Sequence, residues 1–145
     1  MEAQDMAGHL IRRLHQVSAQ VFQTRMQDAG FDLTPVQFSA LDVINTHPGI
    51  DQASVAAMIA YDRATIGGVV DRLVKKGYLK RIVSRRDRRA RELALTDEGC
   101  VTFGAALPVV RALQTEILAN LTDDERATLL ALVRKAIGST TQPDE

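Results

Sequence analysis

The chain has 145 residues, 46% hydrophobic and 25% charged, the balance of a packed globular domain rather than of a disordered chain. Its 18 basic residues match 18 acidic ones, and a single cysteine excludes an intrachain disulfide framework or a zinc site built from cysteines. No apolar run approaches the ~18 residues of a membrane span, and the opening MEAQDMAGHL has no basic stretch ahead of an apolar core, so a cytoplasmic location is expected.

The first segment, Met6 to Ala29, reads as a helix with Leu10, Leu14, Val17 and Val21 on one apolar stripe, ended by Gly30. Thr34 is an N-cap, Pro35 sits at the first helical position, and the helix they open runs through Phe38, Leu41 and Ile44 to the stop His47-Pro48-Gly49. Asp51 caps a short helix holding Val55, Ala56, Met58 and Ile59. After a tight connection at Ala60-Tyr61, Asp62 caps the next helix, Arg63 to Lys76, with Ile66, Val69, Val70 and Leu73 on its buried stripe and Gly77 at its end. Tyr78 to Ser84 and Glu92 to Thr96 alternate like strands around the charged RRDRRAR, the pattern of a β-hairpin with a basic tip. Thr96 caps a long helix running to about Leu121 with Phe103, Leu107, Val110, Ile117 and Leu121 along it, and Pro108 is expected to bend it. Thr122 and Glu125 form a capping box for a last helix with Leu129, Leu132, Val133 and Ala136, ending at Gly138. The tail STTQPDE reads as frayed.

The overall neutrality hides a segregation of charge. Between Arg63 and Arg91 stand eleven basic residues against Asp71 and Asp87 alone, so this stretch carries about +9 and the remainder about −9. A basic block in an otherwise acidic chain is the footprint of a polyanion-binding face. Two helices joined by a very short turn and followed by a basic hairpin form a winged helix-turn-helix, so the fold class is mainly α with a small β-wing. The terminal helices have apolar faces that need a partner, and a second copy is the simplest one.

Burying Ile66, Val69, Val70 and Leu73 turns Arg63, Ala64, Thr65, Gly67, Gly68, Asp71 and Arg72 outward or to the margins. Arg pairs with guanine, Thr meets a thymine methyl or a phosphate, and the first turn of a recognition helix reaches bases first. Gly67-Gly68 costs about 1 kcal/mol each against Ala inside a helix, which suits either close approach to DNA or tight packing on a neighbouring helix. Arg85, Arg86, Arg88, Arg89 and Arg91 crowd the hairpin tip, an arrangement relieved by phosphates and suited to a narrow minor groove. Asp87 either orients Arg89 or another arginine, or is a turn residue bonded to its own backbone. In the first helix, His9, Arg12, Arg13 and Gln16 form one polar strip, either a solvated face or a receptor for an organic anion, since Arg suits a carboxylate.

The runs DRATIGGVVDRLVKKGYLKR and DRRARELALTDEG resemble the multiple-antibiotic-resistance regulator (MarR) family, with Asp87, Arg89, Leu95, Thr96 and Gly99 matching its D-x-R…L-T-x-x-G pattern. LTPVQFSAL is similar to that family's second helix, and the likeness spans about Leu10 to Leu132. The resemblance implies one domain over 1–145, with dimerisation helices at 6–32 and 100–138 and a winged helix-turn-helix DNA-binding region at 33–99. It further implies a homodimer on a pseudo-palindromic double-stranded DNA operator, repressing until a small molecule releases it. GHLIRRL, PGIDQ and DRATIGG resemble the branch that senses aromatic or heteroaromatic carboxylic acids. In one member of that branch the first Arg of the pair holds the ligand carboxylate, a role that falls here on Arg12, and a His of that member is replaced here by Ser18. His9, Ser39 and Phe38 complete the candidate ligand walls, with no membrane partner. No G-x-S-x-G, H-E-x-x-H, P-loop or metal-ligand cluster occurs, so neither catalysis, a cofactor nor a metal is expected. The alternatives are a peroxide- or redox-responsive regulator acting through Cys100, although that position suggests packing, and a ligand-independent DNA-binding protein.

Overall fold

Local side chains start five of the six helices. Thr34 and Gln37 form a reciprocal capping box at the head of one, Asp51 accepts the Ser54 amide at 2.7 Å, and Asp62 accepts that of Thr65 at 2.7 Å. Thr96 accepts the Gly99 amide at 3.0 Å, and Thr122 pairs with Glu125 in a second box. The computed structural model describes residues 2–59, 61–83 and 91–138. A 3-10 turn at Ala3–Asp5 precedes α1 (Ala7–Asp28), α2 (Pro35–Thr46), α3 (Gln52–Met58) and α4 (Arg63–Lys75). Strands β1 (Leu79–Val83) and β2 (Arg91–Leu95) follow, then α5 (Asp97–Ile117) and α6 (Asp123–Ala136). Among the described residues, no helix is long and apolar enough to cross a membrane.

Glycine closes both α1 and α4. Gly30 (φ 83°) and Gly77 (φ 84°) take the left-handed conformation, and the next amide reaches back to the helix, Phe31 to Met26 at 2.8 Å and Tyr78 to Leu73 at 3.0 Å. α5 ends at Ile117 rather than near Leu121, because Leu118 leaves the helical region at φ −112°, ψ 32°. Pro108 lies inside α5 without ending it.

β1 and β2 pair antiparallel, Leu79 opposite Leu95 and Arg81 opposite Leu93. The segment after α2 joins this sheet: the Leu93 amide donates to Ile50 at 2.9 Å, and Asp51 bridges Glu92. The wing root is therefore tied to the loop that leads into α3.

The core is one cluster. Leu41, Ile44, Val55, Ile66, Val70, Leu73, Leu79 and Leu93 are all at most 2% exposed, and Phe103, Ala106, Val110 and Leu113 bring α5 into the same cluster. Phe38 stacks on Phe103 with ring centroids 5.3 Å apart. The first half of α5 thus shares its packing with the winged helix, and a boundary at 99/100 falls inside that helix.

The terminal helices leave uncovered much of the apolar surface that periodicity marks. Of the α1 stripe, Leu10, Leu14 and Val17 are 54, 38 and 43% exposed, while Phe22 and Met26 are the residues that enter the core. α6 has no buried residue at all. Apolar spacing marks a face of a helix but not which body covers it. α1 is fastened to α5 near its C-terminal end, where Arg25 donates to Glu116 at 2.6 Å.

Candidate nucleic-acid interface and effector crevice

The buried side of α4 consists of Ile66, Val69, Val70 and Leu73. Opposite it, Ala64, Gly68, Asp71 and Lys75 recur at the spacing of a single outward face, all exposed. Arg63, Thr65 and Arg72 flank this row and are exposed as well, whereas Gly67 is only partly so. The two glycines part company here. A Cβ at Gly67 would stand 3.4 Å from the Gln52 amide nitrogen of α3, while one at Gly68 would meet nothing within 4 Å. Packing among the described residues therefore does not explain Gly68.

Asp62 organises the tip of α4. One carboxylate oxygen accepts the Thr65 amide and the other the Thr65 hydroxyl at 2.9 Å. Those bonds, the amide first, hold the Asp62 carboxyl below its usual range. Thr65 consequently spends its hydroxyl on the cap.

The basic block is not uniformly outward. Arg63, Arg72, Lys75 and Lys80 are exposed. Lys76 instead turns back onto the α1–α2 junction, donating to the Asp32 carbonyl at 2.5 Å and to Gln37 Oε1 at 3.1 Å. Gln37 is buried and also carries the α2 capping box, so Lys76 secures the end of α4 to the start of α2. Arg81 on β1 is committed too, to Asp71 of α4. Lys75 and Lys80 are exposed cations beyond the sequence-predicted set; the 3.6-residue spacing from Ala64 and Gly68 would have found Lys75. The tip residues Arg85, Arg86, Asp87, Arg88 and Arg89 lie outside the described residues, and Arg91 is described only through its backbone in β2.

The candidate effector residues fall into separate groups. Arg12 is exposed on α1 with its Nη2 3.3 Å from His9 Nδ1, and Arg13 donates to Gln16 at 3.1 Å. Ser18 instead lines an open apolar groove of about 590 Å³ between α1, the end of α5 and α6, beside Leu14, His15 and Leu129. Phe38 and Ser39 are half-buried on α2, Phe38 against Phe103. No hydrogen bond among the described residues links Arg12, Ser18 and Ser39. Periodicity grouped Arg12 with its α1 neighbours correctly but carried no information about α2. His15 in the groove wall was missed, because its place beside the apolar stripe of α1 does not show that α6 closes a groove over it.

Cys100, whose position suggested packing, is exposed in the first turn of α5. Gly99 beside it is buried for a steric reason: a Cβ there would stand 2.9 Å from the Tyr78 carbonyl carbon and closer still to its oxygen. The Thr96 hydroxyl donates to the Gly77 carbonyl at 2.5 Å while its amide donates to Tyr78 at 3.0 Å, so Leu-Thr-x-x-Gly is the joint of wing, α4 and α5. Among the described residues no group of three His, Cys, Asp or Glu side chains is placed to hold a metal ion.

This arrangement has close counterparts. Residues 31–90 match the MarR family model. Over 135 residues the chain is 32% identical to the HTH-type transcriptional repressor NicR of Pseudomonas putida, covering 93% of this chain and 84% of that protein. The PcaV regulator of Streptomyces coelicolor, solved with its natural ligand, superposes with a TM-score of 0.86 at 30% identity over 97% of this chain and 98% of that one. BpsR of Bordetella bronchiseptica, whose DNA binding is regulated by 6-hydroxynicotinic acid, gives 0.87 at 27% identity over 98% and 99%. With a winged helix in place and this identity over most of both chains, the protein belongs to the MarR family and is a DNA-binding transcriptional regulator.

Proposed function

We propose that the protein is a repressor that acts as a homodimer on a pseudo-palindromic operator and is released by an aromatic or heteroaromatic carboxylic acid. The observation that carries the DNA half is the exposed, cation-flanked face of α4, with its first turn set by Asp62. Two such helices enter successive major grooves about 34 Å apart, with Arg63, Ala64 and Thr65 toward base edges, Gly67 and Gly68 allowing close approach, and Arg72 on the backbone. The wing arginines Arg85, Arg86, Arg88, Arg89 and Arg91 take the flanking minor grooves, with Asp87 orienting them.

Dimerisation is supported by the apolar surface left uncovered on α1 and α6: Leu10, Ile11, Leu130, Leu132, Val133 and Ile137 are 41–73% exposed in one chain. A second copy covers it through an isologous interface. The acid is supported by the regulation of BpsR by 6-hydroxynicotinic acid, by the natural ligand that PcaV binds, and by Arg12, whose guanidinium is engaged with His9 alone among the described residues. In this reading Arg12 takes the carboxylate, Phe38 supplies an apolar wall, and His9, Ser18 and Ser39 supply polar contacts. The acid shifts DNA binding by as much as its affinity differs between the two placements of the winged helices.

The test uses duplexes selected by the protein from a randomised library and a panel of benzoic, hydroxybenzoic and nicotinic acids. At least one acid should raise the melting temperature and release the duplex, and Arg12→Ala should lose that release while binding DNA as before. Acids without effect on either, together with peroxide release lost in Cys100→Ser, would replace this reading by the redox one. If ~8 phosphates are neutralised per dimer, log K falls with log salt with a slope of about −7.

A further inference from the structure

The outward face of α4 carries one acid, Asp71, among Ala64, Gly68, Arg72 and Lys75. A bare carboxylate there would repel the phosphates that this face is built to meet. Its partner explains its presence. Arg81 lies two residues after the buried Leu79 on β1 and opposite the buried Leu93 on β2, so its stem leaves the strand on the side that packs against the body. The Arg81 side chain is 27% exposed and that of Asp71 62%, so the arginine runs from under the sheet to the surface and ends on the helix. The bond uses one guanidinium nitrogen, Nη2, of a planar fork that carries further N–H donors. An exposed ion pair of this kind adds little to stability.

We infer that Asp71 is a positioning residue for DNA recognition: it fixes the wing root against α4 and aims Arg81 so that its remaining donors meet a backbone phosphate. Asp71 then acts through Arg81 and not on the bases. The inference rests on α4 being the helix that faces DNA.

The two claims separate in one set of variants, measured on the duplex the wild type selects and on mixed-sequence duplex across a salt series. Asp71→Asn makes the protein more positive, so charge alone would tighten binding and steepen the salt slope. Positioning requires the reverse: affinity falls about tenfold or more, as for the loss of a hydrogen bond to a charged group, and the slope becomes shallower by about 1 per half-site. In an Arg81→Gln background, Asp71→Asn should cost nothing further, because its effect runs through Arg81. Equal or tighter binding by Asp71→Asn overturns the role, as does an undiminished loss in the Arg81→Gln background. A loss confined to one base pair on reselection also overturns it and makes Asp71 a reader of cytosine. Arg63→Ala is the control: if it too leaves binding unchanged, α4 does not face DNA and both claims fall. The melting temperature of Asp71→Asn should stay near that of the wild type, which distinguishes misaimed contacts from a damaged fold.

Discussion

The winged helix and the terminal helices differ in what they do with apolar residues. From α2 to the middle of α5, the large side chains Leu41, Ile44, Ile66, Leu73 and Leu93 close on one another within a single chain. In the first half of α1 and all of α6 the same residue types stand in the open, with Ile11 at 68% and Ile137 at 73% exposure. Good capping does not separate α6 from the winged helix, since Thr122 and Glu125 cap α6 as completely as Thr34 and Gln37 cap α2. Capping therefore makes a helix without giving it a place. The winged helix is finished by its own sequence, and the terminal helices are finished by whatever covers them. Substitutions in the first region should act on the melting of one chain, and those in the second on assembly.

The largest effect is expected at Gly99. Any side chain there meets the backbone of Tyr78, which Thr96 and Gly77 pin in place, so relief requires moving the joint between wing and α5. Gly99→Ala should cost about 3 kcal/mol or more, beyond ordinary overpacking because the obstacle is main chain. Calorimetric melting at several protein concentrations checks both size and kind. A loss independent of concentration places the damage in the self-contained half, and a wild-type melting temperature would refute the joint.

Next comes α6. Leu130 and Val133 line the apolar groove but are 45 and 41% exposed, so aspartate at either position costs a lone chain little. In a dimer it places a charge against the partner's apolar face. Leu130→Asp should give the sedimentation mass of one chain with its helical signal largely retained, and specific duplex binding should be lost with the second half-site contact. A variant that remains dimeric but melts early would show that α6 packs on its own subunit, and the contrast between the two regions would collapse.

What the amino-acid order discloses follows the same division. Thr34, Asp51, Asp62, Thr96 and Thr122 are legible as caps because a cap is settled within three residues of itself. Gly30 and Gly77 are legible because the left-handed turn after a helix has few other occupants. The inward stripe of α4 is legible, and with it the outward face of the candidate site. The destination of the α1 stripe is not, since Leu10, Leu14 and Val17 share a periodicity with residues that enter a core. Nor is the withdrawal of Lys76 from the basic block, or the tie of Arg81 to Asp71, which depend on Asp32, Gln37 and Asp71 arriving from elsewhere in the chain. Charge counted along a sequence overstates what a surface presents.

Gly68→Ala sharpens the reading of α4 on a smaller scale. The new methyl has open space around it, so the folded chain should gain about 1 kcal/mol from helix propensity alone. Where DNA approaches the helix closely, the same methyl obstructs it. The expected result is a higher melting temperature together with weaker duplex binding, two readouts moving in opposite directions at one atom. A stabilised variant with unchanged binding would mean that the helix stands off from the groove at that turn.

The smallest effect is a pH dependence, and it compares the two regions directly. Asp62 and Glu125 are both held below their usual carboxyl range, by bonds from Thr65 and from Thr122 respectively, the backbone amide first in each case. A carboxylate with a lowered folded pKa stabilises the native state above its unfolded value and loses that contribution as pH falls through the folded one. Asp62→Asn keeps an acceptor that does not titrate. The gap between wild type and Asp62→Asn should therefore be full near neutrality and close on acidification below about pH 4, equally at every protein concentration. Glu125→Gln should show the same closing gap, but its size should change with protein concentration, because in the proposed dimer α6 gains its packing from a partner and its cap is felt through that assembly. Identical concentration dependence for the two variants would mean that both helices belong to the same folding unit.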